Sequence, residues 1–214
     1  MSTHIEILNR LLENKIVAIV RLDSGELLIE VTEALLAGGI SVIEFTLTTP
    51  GALKAIEQTV TQFGERVLIG AGTVLDPETA RAAILAGAEF IVTPTTNVET
   101  IKLCRRYGKP IMPGAMTPTE ILTAWEAGAD IVKVFPAGQL GGPSYLKAVL
   151  APLPQVRMAP TGGVNAGNAA AYLDAGAVGV GVGGNLVSKD AVQNRDWPAI
   201  TQEASRLVAA LKKD

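Results

Sequence analysis

Short apolar runs alternate with segments of helical periodicity along this 214-residue chain, and this alternation limits the possible folds more than any other feature. The eight runs occupy residues 16–21, 41–46, 67–70, 90–93, 110–113, 131–134, 156–159 and 178–182. Short, nearly continuous apolar runs are typical of strands buried on both faces of a parallel sheet. Strand–helix units with right-handed crossovers close into a barrel when there are eight of them. We therefore predict an α/β fold, a (β/α)8 TIM barrel forming a single domain over residues 1–214, with a short helix over residues 1–14.

Glycines at the ends of the helical segments support this alternation. Ala-Gly steps precede four of the strands, at residues 37–39, 86–87, 127–128 and 175–176. Glycine at such a position favours the left-handed conformation in which helices end. An open, doubly wound sheet would also alternate strands with helices, and it remains the alternative fold.

Composition excludes several classes of partner. The chain carries 18 basic and 21 acidic residues, a net charge of -3, without a cluster of one sign. This balance argues against nucleic acid and against anionic membrane surfaces as partners. No stretch approaches the roughly 18 apolar residues of a membrane span, and the start lacks the features of a secretion signal, so we expect a cytoplasmic protein. Cys104 is the only cysteine, which excludes an intrachain disulfide and favours a core position.

Lys133 places a charged side chain in the sixth apolar run, on the same face as Ile131 and Phe135. Burial among apolar neighbours disfavours the ammonium relative to the neutral amine. A neutral lysine amine can attack a ketone, forming a carbinolamine and then an iminium that withdraws electrons from adjacent bonds. The alternative is a lysine that reaches solvent or pairs with an acid for purely structural reasons.

Glu44 is a second charge within an apolar run, near the end where barrel enzymes carry their reacting groups. A carboxyl group close to Lys133 could move protons between water, carbinolamine and enamine carbon. A structural Glu–Lys pair is the competing interpretation. Arg21 ends the first run at the same side of the predicted barrel and is a further candidate for the site.

Glycine-rich turns follow the last two runs. They contain Gly162 and Gly163 after the seventh run, and Gly183 and Gly184 after the eighth. Backbone amides at these two loops bind phosphate in many barrels. After the third run, Gly70-Ala71-Gly72-Thr73 would let the backbone approach a ligand, and the hydroxyl and amide of Thr73 could contact a carboxylate.

The residues that are missing also restrict the chemistry. His4 is the only histidine, and its place near the N-terminus favours a surface role over catalysis. A zinc-dependent aldolase needs several histidines, and a Ser–His–acid triad needs one near the strand ends. No Walker-type phosphate loop occurs either. The sequence therefore predicts a lysine mechanism that uses neither a metal nor an organic cofactor.

These residues bring the sequence close to a known family. It resembles the bacterial 2-keto-3-deoxy-6-phosphogluconate / 4-hydroxy-2-oxoglutarate aldolase family over nearly its whole length. The matching segments are residues 43–46, 70–74, 112–114, 133–136 and 160–164. The resemblance implies a homotrimer of (β/α)8 barrels that reversibly cleaves a small 2-keto acid to pyruvate and an aldehyde. It also implies that Lys133 forms the Schiff base and that Glu44 moves the protons.

The resemblance implies further site residues and shows two departures. It implies contacts to the ligand from Thr73, Thr161, Gly162 and Gly163, and pocket walls from Pro94 and Phe135. Some members carry an arginine at the position of Thr48, where it helps to bind the carboxylate, and Arg21 could supply that charge here. Many members have a serine that contacts phosphate where this chain has Gly184. That difference puts a preference for phosphorylated substrates in question.

The leading hypothesis is therefore cleavage of a 2-keto-4-hydroxy acid through a lysine iminium. Oxaloacetate decarboxylation by the same iminium is the nearest alternative, because losing carbon dioxide also generates an enamine. A phosphate-binding barrel enzyme without a Schiff base, such as an isomerase or synthase, is a second alternative. A barrel that has lost catalysis and serves as a binding or assembly scaffold is a third.

Overall fold

The computed structural model describes residues 2–212, and the strands within that range alternate with helices as the sequence predicted. The strands are β1 (Ile16–Val20), β2 (Val42–Thr46), β3 (Leu68–Gly72), β4 (Phe90–Val92), β5 (Ile111–Met112), β6 (Gly114–Ala115), β7 (Val132–Val134), β8 (Met158–Pro160) and β9 (Val180–Val182). All pairings between them are parallel. The predicted α/β class is confirmed.

Helices follow the strands in sequence. They are α1 (His4–Asn14), α2 (Leu28–Ala37), α3 (Ala52–Phe63), α4 (Pro77–Leu85), α5 (Val98–Arg106), α6 (Pro118–Glu126), α7 (Pro143–Leu150), α8 (Ala169–Asp174), α9 (Lys189–Gln193) and α10 (Trp197–Leu211). The predicted N-terminal helix is thus present from residue 4, while Met1 lies outside the described residues. Across residues 2–212, no helix is both long enough and apolar enough to cross a membrane.

The strands form two sheets. Six strands make a curled sheet in the order β5-β4-β3-β2-β1-β9, and three make a shorter one in the order β6-β7-β8. The strand predicted over residues 110–113 is present as β5, and a second short strand that was not predicted, β6, begins directly after Pro113. Proline has no N–H to donate to the ladder, which interrupts the strand at that point.

The glycines at the helix ends adopt the predicted conformation. Gly39, Gly87, Gly128 and Gly176 have φ angles of 91°, 104°, 102° and 102°. Each of them lies between a helix and the strand that follows it. Glycine alone adopts this left-handed region without a steric penalty, so these positions set where each helix stops and the chain turns back to the sheet.

The inner face of the curled sheets is apolar at its N-terminal side. Ile7 and Leu11 of α1 are buried in one cluster with strand residues that include Val17, Val42 and Leu68. A second, larger cluster between strands and helices contains Cys104, which is fully buried as expected. Helix α1 thus covers the N-terminal side of the inner core, and polar inner residues are confined to the opposite side.

His4 has a structural contact that the sequence did not suggest. Its Nε2 donates to Asp130 Oδ1 over 2.7 Å, and Asp130 Oδ2 accepts from the backbone N–H of Ile111 over 3.0 Å. Asp130 is 7% exposed, so its carboxylate depends on these protein donors. The partly exposed side chain of His4 therefore has a structural role, in which it joins α1 to the segment just before β7.

We expect His4→Ala to lower the free energy of unfolding by about 1–3 kcal/mol, because one buried carboxylate oxygen loses its donor. Urea denaturation of the variant checks this value. Ile5→Ala is the matched control, since Ile5 is the next residue and is 69% exposed. Equal stability of the two variants would contradict a structural role for His4.

Candidate active site

Lys133 lies on the inner face of β7, two residues beyond the buried Ile131. Its register neighbours are Gly114 on one side and Ala159 on the other, both of them small residues. Lys133 is 7% exposed and is the only buried lysine within residues 2–212. Its Nζ makes no hydrogen bond or ion pair to the described residues. The amine is therefore available to a ligand.

Glu44 lies on the inner face of β2, opposite Gly70 in the register. A Cβ built on Gly72 would come within 1.6 Å of Glu44 Oε1, so the carboxyl group occupies the space that this glycine leaves open. Gly72 is two residues closer to the C-terminal end of its strand than Gly70. The side chain of Glu44 therefore leans toward the end where the loops of the site begin.

The carboxyl group of Glu44 is buried without hydrogen-bond partners. Neither Oε1 nor Oε2 has a donor among the described residues, and Glu44 is 1% exposed. Burial raises the pKa of Glu44 above its ordinary value, while the positive charges of Lys133 and Arg21 oppose that rise. A buried polar group that no protein atom satisfies is expected to have a partner in the bound ligand or a water.

Lys133 and Glu44 do not form the structural ion pair that was the competing interpretation. Within residues 2–212, every carboxylate oxygen lies more than 4.0 Å from Lys133 Nζ. The two side chains nevertheless interact electrostatically, since Lys133 lowers the pKa of Glu44 against the effect of burial. Lys133 Nζ and the Glu44 carboxyl oxygens are thus more than 4.0 Å apart and still close enough to influence each other's charge.

Arg21 and Thr73 meet beside this pair. Arg21 follows β1, and its Nη2 donates to Thr73 Oγ1 over 3.3 Å. Thr73 follows β3 and has a φ of 56°, which is rare for a β-branched residue and strained. The sequence placed both residues at the site, and the structure brings them into contact. An exposed guanidinium next to a hydroxyl is suited to bind a carboxylate.

A cluster of threonine hydroxyls supports the loop after β2. Thr48 Oγ1 donates to Thr46 Oγ1 over 3.2 Å, and Thr46 and Thr49 share a hydrogen bond of 3.3 Å. Thr49 Oγ1 also accepts from the backbone N–H of Leu22 over 3.1 Å, which ties this loop to the one that carries Arg21. Within residues 2–212, the hydroxyl of Thr48 thus hydrogen-bonds to Thr46 and not to Arg21.

The loops after β8 and β9 present free backbone amides. The φ angles of Gly162 and Gly163 are 95° and 78°, a conformation suited to glycine. Within residues 2–212, the N–H groups of Gly162, Gly163, Gly183 and Gly184 donate to no hydrogen bond. The side-chain amide of Asn185, in the loop after β9, donates to the Val164 carbonyl in the loop after β8 and so joins the two loops. Unpaired amides in such turns are suited to bind an anion.

Three further predicted residues complete the surroundings of Lys133. Thr161 is buried next to β9, where a Cβ on Gly181 would approach its Oγ1 to 2.3 Å. A Cβ built on Gly114 would come within 2.3 Å of the Pro94 carbonyl oxygen. Pro94 therefore packs against β6, the strand that pairs with the strand of Lys133. Phe135, two residues after Lys133, is 38% exposed. Phe135 therefore lies next to the lysine, and Pro94 lies next to its register neighbour Gly114.

Sequence reasoning assigned Gly72 to the approach of a ligand and missed that this glycine and Gly114 make room for other parts of the protein. Gly72 gives space to Glu44, and Gly114 gives space to the backbone of Pro94. Thr49 positions the loop of Arg21 through the N–H of Leu22. Its neighbour Thr46 could have been found, because it follows Glu44 by the two-residue strand period and therefore shares its face.

The described residues contain no cluster of three or more His, Cys, Asp and Glu side chains arranged to hold a metal ion. The side chains that meet at the site are instead an amine, a carboxyl group, a guanidinium and several hydroxyls. This set can form a covalent bond with a carbonyl, transfer protons and bind anionic groups.

Known proteins share this sequence and fold. The family model for KDPG and KHG aldolase matches residues 7–203. A 2-dehydro-3-deoxy-phosphogluconate aldolase of Pseudomonas aeruginosa is 39% identical over 189 residues, covering 88% of this chain and 85% of that protein. A 2-dehydro-3-deoxy-6-phosphogalactonate aldolase of Escherichia coli is 40% identical over 154 residues, covering 72% and 75%.

A solved structure extends the comparison to a reaction intermediate. It is the KDPG aldolase of Legionella pneumophila with pyruvate captured as a covalent carbinolamine. It has a TM-score of 0.85 and 31% identity, and the match covers 96% of this chain and 98% of that one. The family match over most of the chain and the level of identity agree, and the chain belongs to the KDPG and KHG aldolase family.

Proposed function

We propose that this chain is a class I aldolase that reversibly cleaves 2-keto-3-deoxy-6-phosphogluconate to pyruvate and glyceraldehyde 3-phosphate. Cleavage of 4-hydroxy-2-oxoglutarate to pyruvate and glyoxylate is proposed for the same site. The observation that carries the proposal is the buried, unpaired amine of Lys133 next to the buried, unpaired carboxyl group of Glu44. Family membership supports the same reaction.

The reaction begins at the ketone of the substrate. The neutral amine of Lys133 attacks C2 and forms a carbinolamine. Glu44, whose pKa burial raises, donates a proton to the C2 hydroxyl, which leaves as water while the nitrogen lone pair forms the C=N bond of the iminium. The positive nitrogen then accepts electrons from the C3–C4 bond.

Carbon–carbon cleavage follows from the iminium. The Glu44 carboxylate, directly or through a water, takes the proton of the C4 hydroxyl while the C3–C4 bond breaks. The aldehyde leaves and an enamine remains on Lys133. Protonation at C3 by the Glu44 acid returns the iminium, and hydrolysis releases pyruvate. One carboxyl group thus serves as acid and as base in successive steps.

The remaining predicted residues hold the two ends of the substrate. Arg21 and Thr73 would bind the C1 carboxylate, with Thr48 and its neighbours fixing the adjacent loop. The amides of Gly162, Gly163, Gly183 and Gly184 would bind the far anionic group, with Thr161, Pro94 and Phe135 lining the space between. The chemistry uses side chains of this protein, so no cofactor or metal is part of the proposal.

A panel of substrates tests this proposal. Pyruvate release from 2-keto-3-deoxy-6-phosphogluconate, its 4-epimeric galactonate, 4-hydroxy-2-oxoglutarate and oxaloacetate would be compared by kcat/KM. We expect aldol substrates to exceed oxaloacetate. Oxaloacetate turnover alone would make the chain a decarboxylase, turnover without a Schiff base would point to the other barrel enzymes, and no turnover at all would support a scaffold.

Gly184→Ser is expected to raise the affinity for phosphorylated substrates by about tenfold, because a hydroxyl can add one hydrogen bond to a charged acceptor. A Cβ on Gly184 meets nothing within 4 Å, so the side chain fits without rearrangement. KM for the phosphorylated substrate measures the effect, and 4-hydroxy-2-oxoglutarate is the internal control. A fall in KM for both substrates, or for neither, would contradict phosphate contact at this position.

We further propose that the two sheets form one closed (β/α)8 barrel and a single domain. The N–H of Val178 donates to the Met158 carbonyl over 3.0 Å, and Thr161 bridges Gly181 in parallel, which links β8 to β9. At the other seam only Pro113 separates β5 from β6. Coincident unfolding transitions monitored by tryptophan fluorescence and by circular dichroism are expected for one domain.

The resemblance to the family supports a homotrimer as the assembly, with a small 2-keto acid as the only further partner. Light scattering coupled to size exclusion would give three times the chain mass, and a monomer mass would contradict the proposal. A cytoplasmic location is the expectation from the sequence, to be checked by cell fractionation.

A further inference from the structure

The side chain of Phe135 presents its ring face to the reacting amine. Lys133 Nζ lies over this ring, 5.3 Å from its centroid. Phe135 directly follows β7, two positions after Lys133, and its N–H still donates to the Ala115 carbonyl of β6. Within residues 2–212, Lys133 Nζ has no hydrogen bond and no ion pair. The face of the Phe135 ring is therefore the group that this nitrogen contacts.

An aromatic ring face attracts positive charge, and the attraction grows when water is excluded. Lys133 is 7% exposed, so its nitrogen is largely removed from water. Glu44 is the nearby acid, but its pKa is raised by burial and its carboxyl group does not pair with Nζ within 4.0 Å. The ring is therefore well placed to offset the cost of a positive charge on this nitrogen.

The charge on this nitrogen changes during the proposed reaction. The free amine and the carbinolamine are neutral at nitrogen, whereas the iminium is positive. In the dehydration step the C2–O bond breaks, the Glu44 proton leaves with the oxygen as water, and the nitrogen lone pair becomes the second C=N bond. A group that favours positive nitrogen over neutral nitrogen thus shifts the balance from carbinolamine to iminium.

We propose that Phe135 is a catalytic residue whose ring face stabilises the Lys133 iminium relative to the carbinolamine. The inference rests on the proposed Schiff-base function and extends it from the residue that forms the bond to the one that stabilises the resulting charge. A ring that serves only as an apolar wall would act through its shape. The two roles differ because only charge stabilisation depends on the electron density of the ring.

Fluorinated phenylalanines at position 135 separate shape from electron density. Added ring fluorines nearly preserve the shape and progressively remove the negative potential of the ring face. The enzyme would be saturated with pyruvate labelled with carbon-13 at C2, and carbon NMR would resolve the tetrahedral carbinolamine from the trigonal iminium. Quenching with borohydride at successive times gives a second reading, because borohydride reduces the iminium and not the carbinolamine.

The ratio of iminium to carbinolamine is expected to fall with each fluorine, by about five- to thirty-fold over the series. Phe135→Leu, which keeps an apolar wall without a ring, is expected to match the most fluorinated enzyme. Phe63 provides the matched control, since its ring is buried in the core between strands and helices and lies 5.1 Å from the guanidinium of the exposed Arg66. The same fluorinated residues at position 63 should leave the ratio unchanged.

The outcomes distinguish this inference from the proposal on which it rests. A wild-type enzyme that forms neither adduct with pyruvate would overturn the Schiff-base function itself. A wild-type enzyme that forms the iminium, together with a constant ratio and a constant rate of reducible adduct across the fluorinated series, would overturn the role of the Phe135 ring alone.

Discussion

Replacing Lys133 by methionine is expected to lower kcat/KM for aldol cleavage by about 10⁴-fold or more, the scale on which removing a covalent nucleophile acts. Methionine has a similar length and fits an apolar site, so the fold should be retained. The nitrogen has no hydrogen-bond or ion-pair partner among the described residues, and removing it costs the protein only its contact with the Phe135 ring. The expected loss is therefore chemical.

Two further variants define the origin of that loss. Lys133→Arg keeps a positive charge without a nucleophilic amine and should be as inactive as the methionine variant. Lys147→Met makes the same substitution at an exposed lysine of α7 and should leave turnover unchanged. Retention of turnover in Lys133→Arg would show that the position contributes charge alone, as in a barrel enzyme without a Schiff base.

Glu44→Gln is expected to lower kcat for cleavage by about 10²- to 10⁴-fold, the usual range for loss of a general acid or base. Glutamine occupies the same space above Gly72 and cannot exchange a proton with the intermediates. Borohydride trapping with pyruvate should still label Lys133, more slowly than in the wild type. A variant with unchanged kcat would remove Glu44 from the mechanism.

The same substitution is expected to change stability in the opposite direction. Burial raises the pKa of Glu44 above its ordinary value of 4.5, so the folded chain binds a proton that the unfolded chain has released. The free energy of unfolding of the wild type therefore falls as the pH rises from below 4.5 through the raised pKa. Glutamine has no such dependence. Glu44→Gln should consequently be more stable than the wild type at neutral pH.

Urea denaturation across pH checks this linkage. The advantage of Glu44→Gln should shrink as the pH falls and disappear below 4.5, where the wild-type carboxyl group is protonated in both the folded and the unfolded state. Glu57→Gln, a substitution at an exposed residue of α3, serves as control and should show no such trend. If Glu44→Gln were less stable than the wild type at neutral pH, the Glu44 carboxylate would have favourable partners in the folded protein, and this account would be wrong.

The residues of the chemistry could be predicted because they break the pattern around them. Lys133 and Glu44 are charges inside apolar strands, and burying a charge is costly unless it is paired or used. The strand period placed both on the inner face, and the location at the C-terminal side followed from the order of the strands. The same regularity predicted the left-handed glycines that end the helices.

Other features depend on contacts between distant parts of the chain. That Gly72 accommodates a carboxyl group from β2 requires knowledge of the register between the two strands. The contact of His4 with Asp130 joins residues 126 positions apart, and the link from Thr49 to Leu22 joins two loops. The interruption at Pro113 was readable in principle, since proline cannot donate to a ladder.

Borohydride reduction in the presence of pyruvate, followed by peptide mass spectrometry, tests the central claim most directly. The chain has nine lysines, and among the residues that the structure describes only Lys133 is buried, with an amine that makes no hydrogen bond or ion pair. We predict one reduced pyruvate adduct, on Lys133. An adduct on another lysine, or none at all, would contradict the account.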